Sequence, residues 1–200
     1  MAIKLWYSPA SPFVRKVLVF AHETGLADSI ELVRGDVWAP QTDVTRDNPL
    51  GKIPALVTSD GIFAGSYLCC EYLDSLHPGP RLIPAGQRER WPVLQLHALA
   101  DGVIEAAVAS VVEQLRRPKE FVYQGMLDRQ RDKIHRTLDR IASIPLRPEP
   151  DIATLTLGCA LGYLDFRMPE VPWRERRPAL AQWYGAFSTR KSMHATLPHT

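Results

Sequence analysis

In Tyr7-Ser8-Pro9-Ala10-Ser11-Pro12-Phe13-Val14-Arg15-Lys16 a strand-like run ends, a turn follows and a helix begins. The residues leading in, Ile3-Lys4-Leu5-Trp6-Tyr7, have the apolar and aromatic content of a short strand. Ser8, Pro9 and Ser11 are turn formers, and Pro12 is preorganised for the first turn of a helix behind a serine cap. From Pro12 onward Phe13, Val14, Val17, Leu18 and Ala21 recur at helical spacing, and Gly25 stands where a C-terminal cap belongs. Ile30 to Val33 supplies a second strand, and the intervening crossover is long enough for parallel pairing, so the chain opens with a βαβ unit.

Moving outward, Asn48-Pro49-Leu50-Gly51-Lys52-Ile53-Pro54 leads into Ala55-Leu56-Val57, then the turn Ser59-Asp60-Gly61, then Ile62-Phe63-Ala64, the composition of a β-hairpin. Ser66 is expected to cap a helix with Leu68, Tyr72, Leu73 and Leu76 on one face, stopped by His77-Pro78-Gly79-Pro80. The order βαβ then ββα predicts an α/β domain over residues 1–78. Pro78, Pro80, Pro84, Gly79 and Gly86 leave no periodicity to continue the helix, which places a linker at 79–86. Beyond it, residues 88–115, 119–142, 152–166 and 178–189 carry helical spacing, and an all-α domain is expected over 87–200.

Bulk properties narrow the function. Hydrophobic residues at 46% and charged residues at 23% suit a chain with a packed core. A net charge of +2 gives no electrostatic footprint for nucleic acid or anionic lipid, and Arg116, Arg117, Lys119 and Arg174, Arg176, Arg177 fit solvated helix ends. Three cysteines, two of them adjacent, make no disulfide framework and favour a reducing, cytoplasmic compartment. No apolar run approaches the roughly 18 residues of a bilayer span, so no membrane is expected. His77, His97 and His135 lack ligand spacing, so no metal is expected. Cys69, Cys70 and Cys159 fall in predicted helices, where a small buried hydrophobe is the simpler role.

The stretches Tyr7 to Lys16, Asn48 to Pro54 and Gly65-Ser66-Tyr67-Leu68-Cys69-Cys70-Glu71-Tyr72-Leu73 together resemble the glutathione transferase family. Asp151-Ile152-Ala153-Thr154 with Ala160 to Phe166 resembles the family's helix-capping segment, so the resemblance spans nearly the whole chain. It implies the cytosolic glutathione transferase architecture, a thioredoxin-like glutathione-binding domain joined to an all-helical one. It also implies a homodimer that uses glutathione as co-substrate, with no further cofactor, against a small hydrophobic electrophile. Ser11-Pro12-Phe13 stands where related classes carry a cysteine before Pro-Phe, which makes Ser11 the candidate catalytic residue; Ser8 and Tyr7 are rivals. Bringing a thiol from near pKa 8.5 to mostly thiolate at neutral pH takes about two units, roughly 2.7 kcal/mol. One charge-assisted hydrogen bond, about 1.5 to 3 kcal/mol, with a helix N-terminus behind it, supplies that. A serine forms no mixed disulfide, which favours conjugation or peroxidase chemistry over disulfide reduction.

The resemblance also implies a cis peptide between Ile53 and Pro54 that turns the Ile53 backbone toward the cysteinyl part of glutathione. Lys52 and Ser66 would bind the carboxylates at the two ends of the tripeptide. Gly65 departs from the family, which usually has Glu or Asp before the serine, so a counter-charge for the γ-glutamyl ammonium is missing. Asp101 is the candidate substitute, reaching across a dimer interface; its plainer role is a solvated or interhelical acid. The electrophile would lie between the domains, with Ala10, Phe13, Leu99 and Val103 contributing. The rival function is a non-enzymatic relative that keeps the architecture as a binding or regulatory module.

Overall fold

Strand β1 (Ile3–Tyr7) sits inside a four-stranded sheet of order β2-β1-β3-β4, where β2 is Ile30–Arg34, β3 Ala55–Thr58 and β4 Gly61–Ala64. The computed structural model describes residues 3–200. β1 runs parallel to β2, with Ile3 opposite Ile30, and antiparallel to β3, with Trp6 opposite Ala55. Helix α1 (Pro12–Glu23) makes the crossover that parallel pairing requires. It closes in a Schellman motif: Gly25, at φ 72°, adopts the left-handed conformation while its amide reaches the His22 carbonyl and that of Leu26 reaches Ala21.

The α/β core is built from Leu5 and Leu56 of the sheet, Val14, Val17 and Phe20 of α1, and Cys69, Cys70 and Leu73 of α3 (Ser66–Leu76), all fully buried. The polar loop after β2 contains a short helix not foreseen from the sequence, α2 (Val44–Asp47), whose Asp47 carboxylate accepts the Trp6 indole N–H at 2.6 Å. At the far end of α3 the buried Asp74 carboxylate accepts the amides of Leu82 at 2.9 Å and Ile83 at 3.2 Å, tying down the proline-rich segment expected to be a linker.

The chain divides into two compact units, one of residues up to Ala85 together with Lys191–Thr200, the other Gly86–Arg190. The last ten residues therefore correct the expected boundary, since they pack with the first unit. The cause is a buried cation: Arg15 on α1 donates from Nη2 to the Met193 carbonyl at 3.1 Å and from Nε to the Thr196 hydroxyl at 3.4 Å. Ser192 donates to Glu23, and Met193 is buried in the short helix that carries it.

In the second unit α4 (Gln87–Arg116) packs against α5 (Gln124–Ala142) and α6 (Ile152–Arg167). α6 is buried from Ile152 to Leu164, as befits a helix apolar on every side. Asp151 starts it with a capping box, its carboxylate accepting the amides of Ala153 and Thr154 while the Thr154 hydroxyl accepts the Asp151 amide. The helix expected over 119–142 begins only at Gln124, because Lys119–Phe121 forms a separate 3₁₀ turn and Glu113 accepts the Tyr123 amide. The helices α7 (Trp173–Arg176), α8 (Pro178–Phe187) and α9 (Lys191–Ala195) complete the described chain, α9 being the segment placed with the first unit. By length and composition α4 could cross a bilayer, but it packs against α5 and α6 as a core helix does, and those contacts account for its apolar content.

Candidate functional site

Ser11 is the N-cap of α1, in extended backbone at φ −82° and ψ 119°, and its hydroxyl oxygen accepts the Val14 amide at 3.3 Å. Its own amide donates to the Ser8 carbonyl at 3.1 Å, closing the turn that Ser8-Pro9-Ala10 begins. Pro12 follows as the first helical residue, where its missing N–H costs nothing. A serine hydroxyl offers one donor and two acceptor positions, so capping uses its oxygen and leaves its proton for another acceptor. The cap role and the role of thiolate partner are thus compatible in one side chain. Tyr7 ends β1 and Ser8 lies in the turn, so of the three candidates Ser11 alone stands at the helix N-terminus, where the macrodipole favours an anion.

The segment before β3 approaches from the other side of β1. Because Trp6 is opposite Ala55, Pro54 lies beside the end of β1 from which the turn at Ser8 departs. The Ile53–Pro54 peptide is cis. Asn48, buried at 1% exposure, shapes the approach: its amide nitrogen donates to the Lys52 carbonyl at 2.7 Å and its oxygen accepts the Leu50 amide at 3.1 Å. The Lys52 side chain is exposed. The Pro54 carbonyl accepts the Gly65 amide at 3.3 Å, which joins this segment to the start of α3.

Gly65, rather than Ser66, occupies the N-cap of α3, with φ 92° and ψ 135°. That conformation is in the range L side chains avoid, which explains the glycine; a β-carbon there would touch nothing within 4 Å. Ser66 is the first helical residue, and instead of capping, its hydroxyl oxygen accepts Lys16 Nζ at 2.8 Å. Lys16 is fully buried, with Nζ 5.7 Å from the centre of the Phe13 ring. Ser11, Lys52, Ile53, Pro54, Gly65 and Ser66 all belong to the first unit, while Asp101 lies half-buried on α4 in the second.

Electrostatically, this end of the α/β unit combines two helix N-termini with Lys52 at the surface and Lys16 beneath it, and residue 65 contributes no carboxylate. Such an arrangement receives anions. Cys69, one turn into α3, is not a competing thiolate: burial pushes its pKa up to about 12, against hydrogen bonds from the backbone and the charge of Lys16. Sequence reasoning quoted Lys16 only as part of a motif and gave Asn48 no role of its own. A signal for Lys16 exists, since a lysine four residues before the buried Phe20 lies on the same face of the helix.

Comparison with known proteins follows the same lines. The profile described as glutathione S-transferase, N-terminal domain, matches residues 10–76, and that of the C-terminal domain matches residues 124–186. An uncharacterized GST-like protein, YibF, from Escherichia coli K12 is 34% identical over 98% of both chains. A crystal structure of a glutathione transferase family member from Pseudomonas fluorescens Pf-5, with bound glutathione, is 43% identical with a TM-score of 0.95, over 99% of this chain and 100% of that one. A glutathione S-transferase from Methylobacillus flagellatus KT with glutathione bound is 35% identical with a TM-score of 0.90, over 98% of this chain and 100% of the other.

Proposed function

The chain belongs to the glutathione transferase family, and from that premise we propose that it binds reduced glutathione and presents its thiolate to a small hydrophobic electrophile. The observation that carries the reading is the Ser11 hydroxyl at the N-terminus of α1, its oxygen engaged by Val14 and its proton left to donate to sulfur. Ser11 polarises nothing and attacks nothing; it stabilises the anion, and proximity of thiolate and electrophile supplies the rest of the rate. The glycyl carboxylate falls to Lys52, the cysteinyl backbone to Ile53 beside cis Pro54, and the γ-glutamyl carboxylate to Ser66 at the start of α3. Bound glutathione in relatives of 35% and 43% identity supports the assignment. We further read the enzyme as a cytoplasmic homodimer serving detoxification, with glutathione as co-substrate, no other cofactor, and peroxide reduction as a second use of the same thiolate. Asp101 is the partner proposed for the γ-glutamyl ammonium, contributed by the second copy.

The test measures glutathione binding by the wild type, then the thiolate absorbance of the complex against pH in wild type and Ser11→Ala. The expected result is a thiol pKa depressed by about two units in the wild type and restored toward its ordinary value in the variant. A wild-type complex whose thiol titrates as free glutathione does would end the catalytic assignment. Gly65, which offers no side chain to the ligand's ammonium, favours the second reading, a family member that no longer catalyses; failure to bind millimolar glutathione decides for it.

A further inference from the structure

A lysine ammonium has three donors and no acceptor, so in the 2.8 Å contact between Lys16 and Ser66 the serine oxygen must accept. That fixes the other half of the hydroxyl: its proton points away from the lysine and is committed to donating. Lys16 is itself wholly shielded from solvent and Ser66 is 6% exposed, so the lysine stands behind the serine and touches no ligand directly. Burying an ammonium is costly, and a core that only needed volume at this point of α1 would be served better by an apolar side chain. The charge also sits at the first turn of α3, where the N-cap is a glycine that makes no side-chain cap bond. Its field there reaches Cys69, on which Lys16 acts through charge.

We propose that Lys16 is a positioning residue for glutathione recognition, holding the Ser66 hydroxyl with its proton toward the γ-glutamyl carboxylate. The inference rests on the reading that Ser66 binds that carboxylate. It assigns specificity for the carboxylate end of the tripeptide to a side chain the ligand never meets, while Ser11 handles the sulfur at the other helix. Since Ser11 precedes Lys16 by five residues on the same helix, α1 contributes to both ends of the site.

The experiment compares glutathione with 4-aminobutyryl-cysteinyl-glycine, which lacks only the γ-glutamyl α-carboxylate, by calorimetry on wild type, Lys16→Met, Ser66→Ala and the double variant. Lys16→Met should weaken glutathione about tenfold or more while leaving the analogue unchanged, and should raise KM without lowering kcat. The double variant should bind no more weakly than Ser66→Ala, because the lysine acts through the hydroxyl. Equal weakening of both ligands, additive losses in the double variant, or wild-type affinity in Lys16→Met overturns the inference. Should Lys16→Met fail to fold, Lys16→Leu takes its place with the same supporting and overturning results, and Ser66→Ala that keeps the full wild-type preference for glutathione overturns the inference by itself. Wild type that binds neither ligand sinks the function reading and this inference together, whereas normal wild-type discrimination with an unaffected lysine variant sinks this inference alone.

Discussion

Single residues in this protein carry two duties at once, and Ser11 is the clearest case: a helix cap by its oxygen, an anion partner by its proton. Replacing it by alanine removes both, so Ser11→Ala should lose about 0.5 to 2 kcal/mol of stability along with the thiol effect. Gly65 is the converse, a residue defined by what it lacks. Its φ of 92° is forbidding to a side chain, yet no atom lies within 4 Å of where a β-carbon would go. Gly65→Ala should therefore cost roughly 1 to 3 kcal/mol through backbone strain alone, with no steric clash to relieve. Urea unfolding of the pair checks this, and equal midpoints would show that the turn relaxes at no cost. The same strain bears on restoring the family's acid at this position, since any gain in ammonium binding is offset by a loss in folding.

At the scale of elements, helix ends do most of the specifying. The turn from Ser8 to Pro12, the glycine at the end of α1 and the box at Asp151 are all short-range chemistry, and each is legible in the sequence because cap and partner lie within a few residues. Junctions between helices are not legible in that way. Arg177, ahead of α8, is buried and bonds to α5 through the Asp139 carboxylate at 2.6 Å and the His135 carbonyl at 2.9 Å. Burial and the neighbouring Arg177 charge hold the His135 imidazole below its ordinary pKa of 6.5. The unfolded chain therefore takes up this proton at higher pH than the folded one. The resulting stability is present above about pH 6.5 and is lost as pH falls through that value toward the lower folded one. His135→Gln should flatten the fall in melting temperature between about pH 7 and pH 5.5. A variant that declines as steeply as wild type would place the acid sensitivity elsewhere.

For the whole molecule, the C-terminal segment is the informative feature. Residues Lys191–Thr200 belong to the α/β unit, where Met193 and Thr196 serve the buried Arg15 guanidinium. Ending the chain at Arg190 strips that cation of both acceptors and removes the buried Met193, and should destabilise the protein by roughly 3 kcal/mol or more, at about 1.5 to 3 kcal/mol for each hydrogen bond made by a charged group. Thermal unfolding of the truncated chain, with Arg15→Met in the same background expected to recover part of the loss, separates the stranded charge from simple loss of buried surface. The sequence alone determined the α/β domain followed by helices, the succession of its strands, the caps at Ser11, Gly25 and Asp151, and the residues proposed to meet glutathione, because periodicity and turn chemistry act over a few residues and a family motif is local. Only tertiary structure decided that Lys16 backs Ser66 from 50 residues away, that Arg15 reaches Met193 across 178, and that Ser66 is not the cap its type suggested. Those pairings are set by what a buried cation can find once the chain has collapsed, and no spacing along the chain encodes that search.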